Sequence, residues 1–240
     1  MRIDNRTLQT VLAVLRSQSD SCYVRPSDGG WQLWCMRPDG ATMANVRMSK
    51  EAFDTTEDTP EVFVMEIDRW AKALRTMKES VEVDFLDGRV RLSGDGMRHT
   101  FRLVAVDQPI ERLFRSKDLS SVLTAEVMAE TDRIRAFLGA VDVKKTNDLK
   151  VVIVPQGLML QAYDDMENGV DLTISPEDCA LLDGSARAMF SCEAWQEIFK
   201  VVPPDTAVDI RLGDGKPVVM GFGDKLYEGT WFAAPYIETE

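Results

Sequence analysis

A chain of 240 residues is long enough for one large domain or two small ones, and at this size a compact fold buries roughly 70–75% of its unfolded surface without a disulfide or metal staple. With 28 basic against 40 acidic side chains the net charge is −12, which argues against a protein that coats nucleic acid with its whole surface and leaves room for a local basic stripe. Hydrophobic residues at 45% and charged ones at 28% argue against a disordered chain.

The opening Met-Arg-Ile-Asp-Asn-Arg lacks the apolar stretch of a secretory signal, and no run of about 18 apolar residues follows, so an intracellular protein is expected. Leu8, Val11, Leu12 and Leu15 then fall at i, i+3, i+4 and i+7, the apolar face of a helix. After Gly30, Trp31, Leu33 and Cys35 alternate as in a half-buried strand leaving a turn. Trp70 and Leu74 mark a second helix. Val81, Val83 and Phe85 run as a strand into Asp87-Gly88, a strong hairpin signal. A long connection from Val106 to Leu123 follows.

Past that connection the series begins again. Ile134, Phe137, Leu138 and Val141 repeat the first helix 126 positions later, Leu158, Leu160 and Ala162 repeat the strand after Gly157 at an offset of 127, and Trp195 with Phe199 repeats the second helix at 125. Val208, Ile210 and Leu212 run into Gly213-Asp214-Gly215 as the second hairpin. The recurrence predicts a duplicated chain divided into residues 1–106, a connector over 107–123, and residues 124–240. Many strands and two helices per copy predict an α+β layer arrangement, antiparallel sheets with both helices on one face.

The chemistry of an enzyme is not visible. No nucleophile stands with a base, the glycines at 28–30, 94–96 and 213–215 are hairpin turns with no Gly-Lys-Ser/Thr after them, and the acidic pair Asp164 and Asp165 reads as loop solvation. Cys22, Cys35, Cys179 and Cys192 contain no Cys-x-x-Cys pair, and with His99 as the one histidine they read as buried thiols rather than a metal site.

Several motifs carry a resemblance: Leu33-Trp-Cys-Met36 with Arg37-Pro-Asp-Gly40, Ile67-Asp-Arg-Trp-Ala-Lys-Ala-Leu-Arg75, Phe101-Arg-Leu-Val-Ala-Val-Asp107, Gly215-Lys-Pro-Val218, and the ending Phe232-Ala-Ala-Pro-Tyr-Ile-Glu238. With them the chain resembles, over essentially its whole length, the sliding clamps of the proliferating cell nuclear antigen type, archaeal ones in particular. That resemblance implies a homotrimeric ring with two similar domains per subunit, sheets outside and helices lining a channel around duplex DNA. It implies a non-catalytic processivity factor without cofactor, with DNA polymerase, clamp loader, flap endonuclease and DNA ligase as partners that bind through short peptide motifs. The location implied is intracellular and DNA-associated, cytoplasmic in an archaeon and nuclear in a eukaryote.

Residue by residue, the resemblance places a partner groove at Met36, Ala41 and Met43, at Pro217, and at Phe232, Ala234, Pro235 and Ile237, with Leu113 and Phe114 from the connector. Tyr236 stands where the family normally has a basic residue. For the subunit contact, Met97 to Val104 would pair antiparallel with Gly169 to Ser175 of a neighbour, bringing His99, Phe101 and Leu103 against Val170, Leu172 and Ile174.

A protein that slides on DNA needs cations facing phosphates and no base readout. The apolar face of the Trp70 helix fixes Arg69, Lys72 and Arg75 on the opposite side, with Lys78 nearby. Lys72 and Arg75 match channel positions of the family, and Arg16, Arg133 and Lys200 match others. Arg135, Lys144 and Lys145 are further candidates whose facing the pattern does not fix, while Gln9 and Thr10 stand where relatives often have lysines. Two other readings stay open: a subunit of a heterotrimeric clamp, and an adaptor that binds peptides without encircling DNA.

Overall fold

A computed structural model describes residues 1–27, 29–54, 59–104, 106, 119 and 121–236. The chain divides into two compact units, residues 1–116 with 223–229, and residues 117–222 with 230–240, so that a short late segment goes with the first half.

The first half runs β1 (Arg2–Asp4), α1 (Asn5–Arg16), β2 (Ser21–Ser27), β3 (Gly30–Met36), β4 (Thr42–Ser49), β5 (Phe63–Glu66), α2 (Ile67–Leu74), β6 (Ser80–Leu86), β7 (Arg89–Gly94) and β8 (Met97–Arg102). The second runs β9 (Ala125–Glu130), α3 (Thr131–Ala140), β10 (Asp148–Val154), β11 (Gly157–Tyr163), β12 (Gly169–Ile174), β13 (Cys179–Gly184), β14 (Ala186–Ser191), α4 (Cys192–Val201), β15 (Ala207–Leu212), β16 (Val218–Gly223) and β17 (Tyr227–Ala233). In the first unit the strand orders are β1-β6-β7-β8 and β4-β3-β2-β5; in the second they are β13-β9-β15-β16-β17 and β12-β11-β10-β14. The two units share one topology, down to an isolated bridge between Ile3 and Phe53 that stands where β13 pairs with β9.

Each helix has a buried apolar face, and α1 and α4 also have a side-chain N-cap. Asp4 accepts a hydrogen bond from the Thr7 N–H at 2.6 Å and opens α1, whose Leu8, Val11, Leu12 and Leu15 are all buried. The Ser191 hydroxyl does the same for α4 through the Ala194 N–H, and Pro203 beyond its end cannot continue it. Carbonyls at the helix ends are met by the partner helix: the buried Asn5 amide donates to the carbonyls of Leu74 at 3.1 Å and Met77 at 2.6 Å, and Gln196 donates to those of Leu138 and Val141. Helix α3 ends at Ala140, and Val141 is extended with ψ 123°, so this residue of the helical pattern packs into the core from outside the helix.

Aromatic clusters fill both cores. Trp31 meets Phe53 at 5.2 Å, Phe63 at 5.7 Å and Trp70 at 6.3 Å between ring centres, and Trp195 meets Phe199 at 5.7 Å and Trp231 at 6.0 Å. Such side chains each bury on the order of 150–250 Å² and dominate core energetics. Among the described residues the indole nitrogens of Trp31, on a strand of the first copy, and Trp195, on a helix of the second, are buried without an acceptor.

Gly30 and Gly157 fix the start of β3 and β11. Their φ values are +116° and +118°, and a Cβ on either would lie 1.9 Å from a backbone oxygen, that of Met48 or of Ile174. The first predicted hairpin closes in two residues, Leu86 pairing with Arg89 around Asp87-Gly88. The second pairs β15 with β16 across a longer loop that contains Pro217.

Candidate functional site

On α2, Ile67, Trp70, Ala73 and Leu74 are buried, which leaves Arg69 and Lys72 exposed on the opposite side. The helix stops at Leu74, so Arg75 is its C-cap, and Lys78 lies in the loop beyond, where its backbone N–H is held by the Asp95 carboxylate. Arg16 reaches Asp68 at 2.8 Å, an ion pair across α1 and α2 without hydrogen-bond geometry at that oxygen, and Arg69 reaches Glu66 at 2.7 Å. Among the described residues Lys72, Arg75 and Lys78 form no ion pair.

In the second unit Arg133 pairs with Asp178 at 2.7 Å. Hydrogen bonds from Arg133 and then from Ser175 hold the Asp178 carboxyl below its usual range. Lys200, exposed in the last turn of α4, forms no ion pair among the described residues. Arg135 plays a structural part, since its guanidinium donates to the carbonyls of Phe199 at 2.9 Å and Val202 at 2.6 Å and so closes the end of α4. Lys144 and Lys145 follow α3 in a turn, and Lys145 pairs with Asp142 at 3.8 Å. Of the seven cations singled out for a channel, Arg16, Arg69 and Arg133 thus have local partners, while Lys72, Arg75, Lys78 and Lys200 present unneutralised charge.

Strands β8 and β12 each end a sheet within their unit. In β8, His99 and Phe101 sit opposite Leu92 and Val90, so both face the core side of the sheet, with the His99 ring 3.1 Å from the Thr76 hydroxyl. Leu103, just past the strand, donates its N–H to the Gly88 carbonyl. In β12, Val170, Leu172 and Ile174 sit opposite Ala162, Leu160 and Leu158 on the core side. Val170 and Leu172 stay half-buried at the edge, but Ile174 is 0% exposed inside its own unit, so a neighbour could reach its backbone only. On the other face, Asp171 accepts hydrogen bonds from the Tyr163 hydroxyl and the Gln161 amide.

The groove candidates fall in different units. In the first, Met36 and Met43 are a cross-strand pair at the end of β3 and β4, Met36 being 42% exposed, and Ala41 is exposed in the intervening turn. In the second, Pro217 precedes β16, Phe232 lies half-buried on β17, and Ala234 and Pro235 follow it. Leu113, Phe114 and Ile237 lie outside the described residues. The sequence reading missed Trp34, which with Tyr23, Met43, Val62 and Val106 forms an apolar cluster on the first unit. The signal was present, since Trp34 is out of phase with Trp31, Leu33 and Cys35 and must point to the other face of β3.

Among the described residues no group of three metal-ligating side chains converges, and no helix is long and apolar enough to cross a membrane. No family model matches the chain. It is 26% identical, over 98% of its length and 96% of the relative's, to a protein named DNA polymerase sliding clamp from Natronomonas pharaonis. It is 24% identical, over the same shares, to a protein of the same name from Haloarcula marismortui. Among solved structures, A. fulgidus PCNA bound to the C-terminal region of FEN-1 superposes with a TM-score of 0.87 at 18% identity, covering 100% of this chain and 98% of that one.

Proposed function

We propose that this chain, a relative of the haloarchaeal DNA polymerase sliding clamps along nearly its whole length, is itself a sliding clamp: a processivity factor that closes around duplex DNA as a homotrimer and tethers replication and repair enzymes to it. The observation that carries the reading is the duplicated unit, in which α2 with the turn after it, and α4, expose unneutralised cations, and in which β8 and β12 each end a sheet. Lys72, Arg75, Lys78 and Lys200 would face phosphates, which gives binding without sequence readout. Strand pairing of β8 with the β12 of a neighbour would close the ring and remove both edges.

No catalytic step belongs to this reading. The clamp acts by effective concentration, because a partner held on a ring that cannot leave the duplex rebinds its primer end as an intramolecular event. Met36, Ala41 and Met43 from one unit, with Pro217, Phe232, Ala234, Pro235 and Ile237 from the other and Leu113 and Phe114 from the connector, would take the short motifs of polymerase, clamp loader, flap endonuclease and ligase. The location that follows is intracellular, on DNA.

Primer extension on primed circular DNA, with polymerase and clamp loader present, tests the function. The wild-type chain should raise the length of product. Lys72→Glu combined with Arg75→Glu should keep the trimer and lose the stimulation, since two phosphate-facing cations per chain become anions. Unchanged stimulation would remove DNA from this face, and a wild-type chain that binds partner peptides without stimulating synthesis would leave an adaptor.

A further inference from the structure

The second unit carries a cavity of about 450 Å³ walled by Lys150, Arg187, Met189, Asp214, Pro235 and Tyr236. Its position follows from the register of β10 on β14. Lys150 stands opposite Met189 and Val152 opposite Arg187, while the intervening Val151 and Ala188 are buried. Lys150 and Arg187 therefore share the face turned away from the core. Helix α4 packs on the other face, where Phe190 meets Trp195 at 6.0 Å between ring centres.

Diagonal neighbours on a sheet lie roughly 7–8 Å apart, so these two cations repel each other. Neither forms an ion pair among the described residues. The carboxylate in the wall, Asp214, is engaged with backbone: its Oδ1 accepts the Arg187 N–H at 2.8 Å, beside the Gly215 N–H donating to the Arg187 carbonyl at 2.9 Å. Opposite, the Tyr236 N–H donates to the Met189 carbonyl at 2.8 Å and holds Pro235 and Tyr236 as the cavity's rim. Two unneutralised cations beside Met189 and Pro235, in a chain of net charge −12, form a local positive field next to an apolar wall.

We propose that this cavity binds an acidic segment of a partner protein, with a carboxylate on Lys150 and Arg187 and a neighbouring apolar side chain against Met189 and Pro235. It rests on the partner-groove reading in that Pro235 would be a wall of both. Nucleic acid fits less well, because a sugar-phosphate backbone would gain nothing from the apolar wall of Met189 and Pro235. A volume of this size suits a few side chains.

The test is fluorescence anisotropy on the full chain at low salt. The probes are fluorescein-labelled peptides with a Gln-x-x-Leu-x-x-Phe-Phe plug, flanked by Asp-Leu-Glu or by Asn-Leu-Gln, before the plug in one pair and after it in another. In one pair the acid-flanked peptide should bind about fivefold more tightly or better, and the difference should shrink in 0.5 M NaCl. Lys150→Gln with Arg187→Gln should abolish the difference while leaving the neutral peptide's affinity within about twofold, because charge–charge contacts are removed and apolar ones kept. Equal binding of acid and neutral peptides to the wild type overturns the inference and leaves the groove standing; failure of the neutral peptide to bind counts against the groove itself. A preference that survives the double substitution overturns it too. So does displacement of the acidic peptide by short duplex DNA from the wild type alone, or a preference seen only in a chain ending at Tyr236, which would make residues 237–240 the occupant.

Discussion

Gly30 and Gly157 are held by the same obstruction in the two copies, a backbone oxygen 1.9 Å from where a Cβ would stand. Gly139, in α3, has nothing within 4 Å of that point. Alanine therefore has opposite effects at the two kinds of site. Gly30→Ala should cost at least about 2 kcal/mol, because strand and carbonyl must separate around a residue at unfavourable φ. Gly139→Ala should stabilise by about 0.5–1 kcal/mol, because it removes unfolded-state entropy from a helical position. Urea midpoints of the two variants, compared with the parent, check both signs. The thiols follow from burial in the same way. Desolvation pushes Cys22 well above the usual thiol range and lifts Cys35 and Cys192 to about 12. They should resist alkylation at pH 8 until the chain unfolds. Because the folded values are raised, the stability they contribute is complete below the unfolded value near 9 and is lost as pH rises toward about 12.

At the scale of elements, periodicity made the helices and hairpins legible. Four helices with Leu8, Trp70, Ile134 and Trp195 on their buried faces, and the strands after Gly30 and Gly157, were readable because burial imposes periods of 3.6 and 2 on the chain. The end of α2 was not, since Arg75 and Lys78 continue a helical spacing after the backbone has left the helix. Nor was the role of Arg135, because which carbonyls it reaches depends on α4, some 60 residues away in the chain. The edge strands lie between these cases. Alternation identifies Phe101 and Leu172 as core-facing, but only the strand order shows that among the described residues no strand of their unit pairs beyond them. On the proposed reading a neighbour covers the part of each side chain left exposed. Phe101→Glu or Leu172→Glu should then release monomers that keep native far-ultraviolet dichroism, because an unpaired charge costs several kcal/mol only where the contact would bury it. A trimer that persists in both variants, measured by sedimentation velocity, would move the subunit contact elsewhere.

For the whole molecule, a homotrimer of 27.0 kDa chains has a mass of about 81 kDa, and native mass spectrometry of the pure protein separates it from a lone subunit awaiting unlike partners. The charges then decide how such a ring would stay on DNA. Arg16, Arg69 and Arg133 are already met by Asp68, Glu66 and Asp178, so on the proposed reading Lys72, Arg75, Lys78 and Lys200 are the cations each chain would bring to the phosphates. If about five cations engage the duplex at once, counterion release lowers the affinity by roughly two to three powers of ten between 50 and 200 mM salt. Binding by such contacts alone would therefore weaken steeply as salt rises. A closed ring has no such dependence, because sliding off requires a free end rather than a broken ion pair. Once loaded on nicked circular duplex, the wild-type protein should survive a wash in 1 M NaCl on a sizing column and leave when the same DNA is cut once. The Phe101→Glu variant should wash off the intact circle. Retention of the wild type on linear DNA at that salt, or its loss from the circle, would show that contacts and not closure hold it there.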